Sequence, residues 1–223
     1  MYDRIINLIG KENFNKIKNS KILLVGVGGV GSFSFEALIR SGFQDITIVD
    51  HDKVEITNLN RQLVATLDTI NKSKVEIAKE TALKINENIK IRSIEEFLNK
   101  NNINLLESNY DYVIDACDSL ETKLELIRFA NKNNIKIISS MGVGNRVDAS
   151  LIKIGRLDKT YNDPLAKKLR KLVKEEGLDN KIPVVCSDEL PYKKGEVNSM
   201  ITSPGIAGLL IVNYIINDII KPC

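Results

Sequence analysis

Cysteine is scarce in this chain: Cys117, Cys186 and Cys223 are the only three in 223 residues, and they are widely spaced. No Cys-x-x-Cys pair occurs, which excludes a four-cysteine zinc site, and an odd set of isolated thiols makes no disulfide framework. Such usage points to a reducing compartment, so a cytoplasmic protein is expected. No signal peptide is expected either, because residues 1–9 already alternate charged and apolar side chains. The longest apolar stretch, residues 205–220, reads as too short to span a bilayer, and Asn213, Asn217 and Asp218 interrupt it. No membrane partner is expected. A strong charge excess is also absent, the net charge being +3. That balance does not by itself indicate nucleic-acid binding.

Repeats, low-complexity tracts and interdomain linkers are lacking too. With 43% hydrophobic and 27% charged residues, the composition is that of one soluble α/β domain. At this length about 70% of the unfolded chain's surface can be buried without disulfides or metals. Residues 1–223 are therefore expected to form one unit, with a core of about 20–145 and a C-terminal elaboration of about 146–223.

What is present begins with KILLVGVGGVGS, residues 21–32. An apolar run enters Gly26-x-Gly28-x-x-Gly31, an amphipathic segment follows to Arg40, and a second apolar run ends at Asp50. Strand, glycine turn, helix, strand and acid in this order make a nucleotide-binding βαβ unit. Gly26 permits the turn, Gly28 and its neighbour Gly29 bring backbone N–H groups to a phosphate, and Gly31 lets the helix pack against the sheet. Asp50 is set to accept hydrogen bonds from a ribose. The helix N-terminus presents unpaired donors to anions.

The remaining pattern predicts one or two short helices over 2–19, then strands at 21–26, 45–50, 89–94, 111–116 and 135–140. Helices are predicted at 29–41, 72–87 and 119–133, with a short one near 101–108. Several strands are continuous apolar runs, as in a parallel sheet covered on both faces. The fold class is α/β, a doubly wound, Rossmann-like, mostly parallel sheet. Beyond Ser140 a β-ribbon is expected over 146–156, a basic helix over 163–176, a short strand and turn within 182–191, and a last helix over 204–218. Asp163-Pro164 reads as an N-cap followed by proline at the first helical position.

A nicotinamide site has little use for surplus cations. Here Asn58, Arg61, Lys74 and Lys123 supply groups that neutralise a triphosphate, and Asp118 stands where a metal or the α-phosphate is handled. That set suits nucleotidyl transfer from ATP, in which positioning and charge neutralisation dominate. The single histidine, His51, reads as a loop residue rather than a base. Cys117 reads as a small buried hydrophobe. Asp118 also has a structural reading, as N-cap of the helix at 119–133.

The segments GVGGVGS, VDHDKVEITNLNRQ, NKSK and IDACDS, with the opening YDR, resemble the ubiquitin-activating-enzyme superfamily. Residues 140–170, with GVGNRVD and DPLA, extend the resemblance to the bacterial tRNA threonylcarbamoyladenosine dehydratases within it. The resemblance implies an adenylate-forming enzyme that uses ATP and Mg2+ to cyclise threonylcarbamoyladenosine beside the tRNA anticodon. It implies roles on the nucleotide for Gly26, Gly28, Gly29, Gly31, Asp50, Asn58, Arg61, Lys74, Asp118 and Lys123. Asp118, Arg61 and Lys74 would be catalytic, with Asp118 beside the magnesium. Arg4 would reach ATP across a homodimer interface. A monovalent cation and a sulfur-transfer partner protein also fall within what the resemblance allows. Lys167, Lys168, Arg170 and Lys171 on the basic helix, with Arg146, are candidate tRNA contacts, and Lys193-Lys194 is a further basic position.

Three other readings remain open from the residues. An adenylyltransferase for a ubiquitin-like sulfur-carrier protein shares the adenylation half, although its usual paired Cys-x-x-Cys zinc ligands are absent here. A catalytically decayed nucleotide-binding scaffold would not be expected to keep Asp118, Arg61 and Lys74. An NAD-dependent oxidoreductase fits the glycine turn alone. The last helix is apolar on nearly every face, more than one buried stripe needs, which predicts either a homodimer interface or a fully buried helix.

Overall fold

The computed structural model describes residues 1–193 and 195–221; Lys194 and Cys223 lie outside the described residues. Two short helices, α1 (Asp3–Ile9) and α2 (Lys11–Asn19), lead into strand β1 (Lys21–Val25). Then follow α3 (Gly29–Ser41), β2 (Asp45–Val49), α4 (Lys74–Ile85), β3 (Lys90–Ile94), β4 (Tyr112–Asp115), α5 (Leu120–Asn133) and β5 (Lys136–Ser140). The C-terminal part adds β6 (Ile152–Arg156), α6 (Pro164–Glu175), β7 (Pro183–Ser187) and α7 (Thr202–Ile220). All seven strands join one sheet in the order β3-β2-β1-β4-β5-β7-β6. Among the described strands of this sheet, only the β6–β7 pairing is antiparallel.

The apolar runs behave as a sheet buried on both faces requires. Along β1, Ile22 and Leu24 enter one core with α3, α4 and α7, while Leu23 and Val25 enter the other with α5 and α6. Local signals set the helix ends. Gly42, at φ 101°, terminates α3, and Asn134, at φ 56°, terminates α5. Asp163 caps α6, accepting a hydrogen bond from the Ala166 N–H at 3.0 Å, with Pro164 at the first helical position as expected.

Three expectations are corrected. The helix near 101–108 is a single 3₁₀ turn, Ile103–Leu105. Asparagine side chains there take backbone donors: Asn102 Oδ1 accepts from Asn99 N–H at 2.8 Å and Asn99 Oδ1 from Asn101 N–H at 2.9 Å. The ribbon over 146–156 contracts to β6, because the Val147 and Asp148 N–H groups go to the Glu189 carboxylate at 3.1 Å instead of to a ladder.

The third correction concerns α7, which extends past both expected ends. By length and composition alone it is long and apolar enough to cross a membrane, and 44% of that window is buried inside the fold. Burial accounts for much of its apolar surface. Ala207, Gly208, Ile211, Val212 and Ile215 pack inward, leaving Ile206 and Leu209 exposed. The helix crosses α3 at Gly208, where an added Cβ would meet the Val30 carbonyl oxygen and lie 2.8 Å from Phe33 Cβ. Gly208→Ala is therefore expected to cost about 1–3 kcal/mol by overpacking. A lower urea midpoint with unchanged m value would register it; an unchanged midpoint would show that the two helices separate freely.

Candidate active site

The strand order reverses between β1 and β4, and in doubly wound sheets ligands bind at the carboxyl ends beside such a reversal. A cavity of about 740 Å³ opens there. Its floor is the turn after β1, where Gly26 adopts φ 91° and a Cβ would lie 2.6 Å from the Ala116 carbonyl oxygen. Only glycine lets the turns after β1 and β4 touch. Gly28 and Gly29 line the cavity. Gly31 does not, but a Cβ on it would strike the Gly26 carbonyl oxygen, so this glycine seats α3 on the turn. The first-turn N–H groups of α3 have no intrahelical acceptor and form the positive end of the helix dipole, which favours a phosphate.

Asp50 follows β2 and is buried, Oδ2 accepting from Val27 N–H at 2.6 Å and Oδ1 from Asp52 N–H at 2.8 Å. These bonds lock its carboxylate at the rim of the cavity, where it stands among the lining residues. Asn58 is buried in a single 3₁₀ turn, its Oδ1 accepting from Glu55 N–H at 3.1 Å. Arg61 folds back on the same turn, Nη1 donating to the Thr57 carbonyl oxygen at 2.7 Å and to Asn60 Oδ1 at 2.9 Å. Lys74, at the start of α4, is 4% exposed and its Nζ meets Asp52 Oδ2 at 2.7 Å. All four line the cavity with Asp118.

Asp118 differs from the other acids here. It is exposed to the cavity and makes no hydrogen bond or ion pair within the described residues. The capping role falls instead to Ser119, whose Oγ accepts from Thr122 N–H at 3.3 Å. Asp118 thus presents an unengaged carboxylate opposite the glycine turn.

Other sequence candidates lie elsewhere. Lys123 is 0% exposed and sits beneath the cavity, not in it. Its Nζ donates to both Asp115 carboxylate oxygens at 3.1 Å, to Ser139 Oγ at 3.4 Å and to the Ser140 carbonyl oxygen at 2.7 Å. Helical spacing points its side chain down between β4 and β5, away from a phosphate. Arg4 is exposed on α1 and does not line the cavity. Arg146 is buried, not a surface RNA contact. Arg170 is half-buried and ties down Thr160, donating to its carbonyl oxygen and to Oγ1. On the same helix Lys167, Lys168 and Lys171 are exposed.

Among the cavity residues that the sequence reading did not assign to the site are Gln62, Phe97, Asp52 and Asp163, the last read only as a helix cap. Gln62 and Asp52 lie inside the quoted segment after β2, so their position was the available signal. Phe97, whose ring meets His51 edge-on at 5.0 Å, lies in a loop with no motif. Asp115, the buried partner of Lys123, was hidden in an apolar run. Neither described cysteine is an activated nucleophile. Burial, reinforced by Asp115, pushes the Cys117 thiol well above its usual range, and burial with Asp188 pushes Cys186 up.

The chain is similar to known proteins along most of its length. The chain is 36% identical over 233 residues to the tRNA threonylcarbamoyladenosine dehydratase of Bacillus subtilis (strain 168), covering 96% of this chain and 92% of that protein. It is 38% identical over 166 residues to the enzyme of that name from Haemophilus influenzae, covering 74% of this chain and 64% of that protein. The crystal structure of the Escherichia coli tRNA N6-threonylcarbamoyladenosine dehydratase in complex with ATP superposes with a TM-score of 0.93 at 30% identity, over 98% of this chain and 93% of that one. The ThiF family model matches residues 2–222, essentially the whole fold from α1 through α7, and the chain belongs to the ThiF family.

Proposed function

We propose that this protein is an ATP-dependent tRNA threonylcarbamoyladenosine dehydratase. What carries the reading is whole-length likeness to such dehydratases, joined to a cavity that holds a glycine phosphate cradle, two cations and an unengaged carboxylate.

In the reaction, the threonyl carboxylate attacks the α-phosphate of ATP and pyrophosphate leaves. The neighbouring ureido group then closes a five-membered ring on the acyl carbon and expels AMP, for a net loss of water. Intramolecular closure of this kind reaches effective molarities of order 10⁵ M or more, so no cysteine is needed. The N-terminal turn of α3 receives phosphate oxygens, Arg61 and Lys74 neutralise the triphosphate, Asn58 supports it, and Asp50 orients the ribose. Asp118 suits magnesium, which takes carboxylate oxygens and supplies charge neutralisation when bound with ATP. A monovalent cation near the phosphates belongs to the same proposal. Incubation with ATP, magnesium and threonylcarbamoylated tRNA should yield a nucleoside lighter by one water. No mass change with folded, ATP-binding protein would sink the reading.

Exposed Lys167, Lys168 and Lys171 on α6 are proposed phosphate-backbone contacts for the tRNA. Replacing all three with alanine should weaken tRNA binding at every sequence and flatten its salt dependence. Unchanged binding would move the RNA to another face. A homodimer is also proposed, with Arg4 reaching the partner's ATP and with Ile206 and Leu209 among the covered residues. Light scattering should then give about twice the 25.0 kDa protomer. A monomer active on modified tRNA would refute both. A cytoplasmic setting and a sulfur-transfer partner complete the proposal; the partner would be tested by co-purification.

A further inference from the structure

The cavity has two sides. One holds the nucleotide residues just described. The other is walled by residues 141–146, by Asp163 and Pro164, and by Pro191, Val197 and Ser199. Arg146 stands where these segments meet. It is 3% exposed, and its guanidinium donates to the Asn162 carbonyl oxygen at 2.7 Å and to the Glu189 carbonyl oxygen. Its own carbonyl oxygen accepts from Ser203 Oγ at 3.1 Å, which ties in the start of α7. Its Nε has no partner.

Two carboxylates face this guanidinium, and each is already engaged. Asp163 accepts from Gly142 N–H at 2.7 Å and caps α6, while Glu189 accepts from the Val147 and Asp148 N–H groups at 3.1 Å. Meanwhile the Val143 and Gly144 N–H groups donate to no acceptor among the described residues. The two carboxylates outnumber the one guanidinium, so an oxyanion here is held by the free backbone donors and not by net charge, with Arg146 fixing where those donors stand. The wall follows β5, and β5 neighbours β4, whose following loop carries Asp118; adjacent strands lie about 4.8 Å apart. An anion held on this wall therefore lies beside the nucleotide side of the cavity.

We propose that residues 142–146 form the acceptor subsite, taking the carboxylate-bearing side chain of the modified nucleoside, with Arg146 as its positioning residue. The proposal rests on the dehydratase reading. Arg146 sets the wall through its backbone acceptors, and the Val143 and Gly144 N–H groups bind the carboxylate. The motif GVGNRVD is thereby explained as substrate-side architecture, separate from the nucleotide residues.

Arg146→Lys keeps the charge but loses the fork that spans two carbonyl oxygens. ATP affinity by calorimetric titration should stay within about twofold, while kcat/KM for threonylcarbamoylated tRNA falls about tenfold or more, chiefly through KM. Gly144→Ala, whose Cβ would meet Val197 Cγ1, should give the same split from the opposite wall. Parallel loss of ATP affinity, or unchanged kcat/KM in both variants, would overturn the subsite. Should the wild-type protein fail to act on modified tRNA, the dehydratase reading fails by itself. Hydrogen exchange with the free nucleoside threonylcarbamoyladenosine then tests the subsite alone. Slowed exchange at residues 142–146 supports it, and unchanged exchange overturns it.

Discussion

Lys123→Met is expected to lower stability by about 3–5 kcal/mol, although Lys123 does not line the cavity. Its ammonium and the Asp115 carboxylate are both 0% exposed, 3.1 Å apart. Methionine removes the only cation on that carboxylate among the described residues and leaves it with the Ser139 hydroxyl, the Cys117 N–H at 3.4 Å and the Cys117 thiol at 3.0 Å. An uncompensated buried charge is the costly case, whereas exchanging both partners for apolar groups of similar volume is often neutral. Lys123→Met combined with Asp115→Leu should therefore recover most of the loss. Urea denaturation of the two variants reads the difference directly. A loss below about 1 kcal/mol in the single variant would mean that solvent reaches the pair in solution. The pair bears on the cavity because β4 and β5 end at Asp115 and Ser140, and the loops beyond carry Asp118 and the proposed acceptor wall.

Asp118→Asn should have the opposite profile. Exposed and without internal partners, this side chain contributes little to folding, so the unfolding midpoint should shift by less than about 0.5 kcal/mol equivalent. Turnover should fall about 100- to 1000-fold, the usual scale for removing one preorganised electrostatic group from a reacting centre. Asparagine keeps the shape and removes the charge, so a packing explanation is excluded. Single-turnover dehydration and thermal unfolding on the same preparation test both halves. Wild-type turnover would remove Asp118 from the mechanism.

These two variants also mark what residues alone reveal of position and what they conceal. Asp118 and Lys123 stand five positions apart in one segment, and both were assigned to the nucleotide. The segment IDACDS is recognisable because strand, turn and helix follow local rules: an apolar run, small residues, then an N-cap. Which of its two acids faces the cavity depends on the pleat and on where β4 ends. Asp115 is the last residue of the strand and points between β4 and β5; Asp118 lies beyond it. That distinction requires knowing that β5 is the neighbour of β4 and offers Ser139 to the carboxylate. The positions of Arg146 and Arg170 were obscured for a related reason. An arginine in a polar stretch reads as surface, and only the packing of distant segments shows its guanidinium spent on backbone carbonyls.

Local chemistry alone determined the alternation of strands and helices, the glycine cradle, the acid after β2 and the cap of α6. Each depends on residues within one or two turns of one another, where backbone sterics and hydrogen-bond inventory are decisive. The tertiary structure decided the rest. It opened Asp118 to the cavity and buried Asp115, turned Lys123 inward, divided α7 into a buried stripe and a small exposed face, and joined three loops around Arg146. Those outcomes turn on which side chains are removed from water together, and burial is a property of elements distant in sequence that no single segment carries.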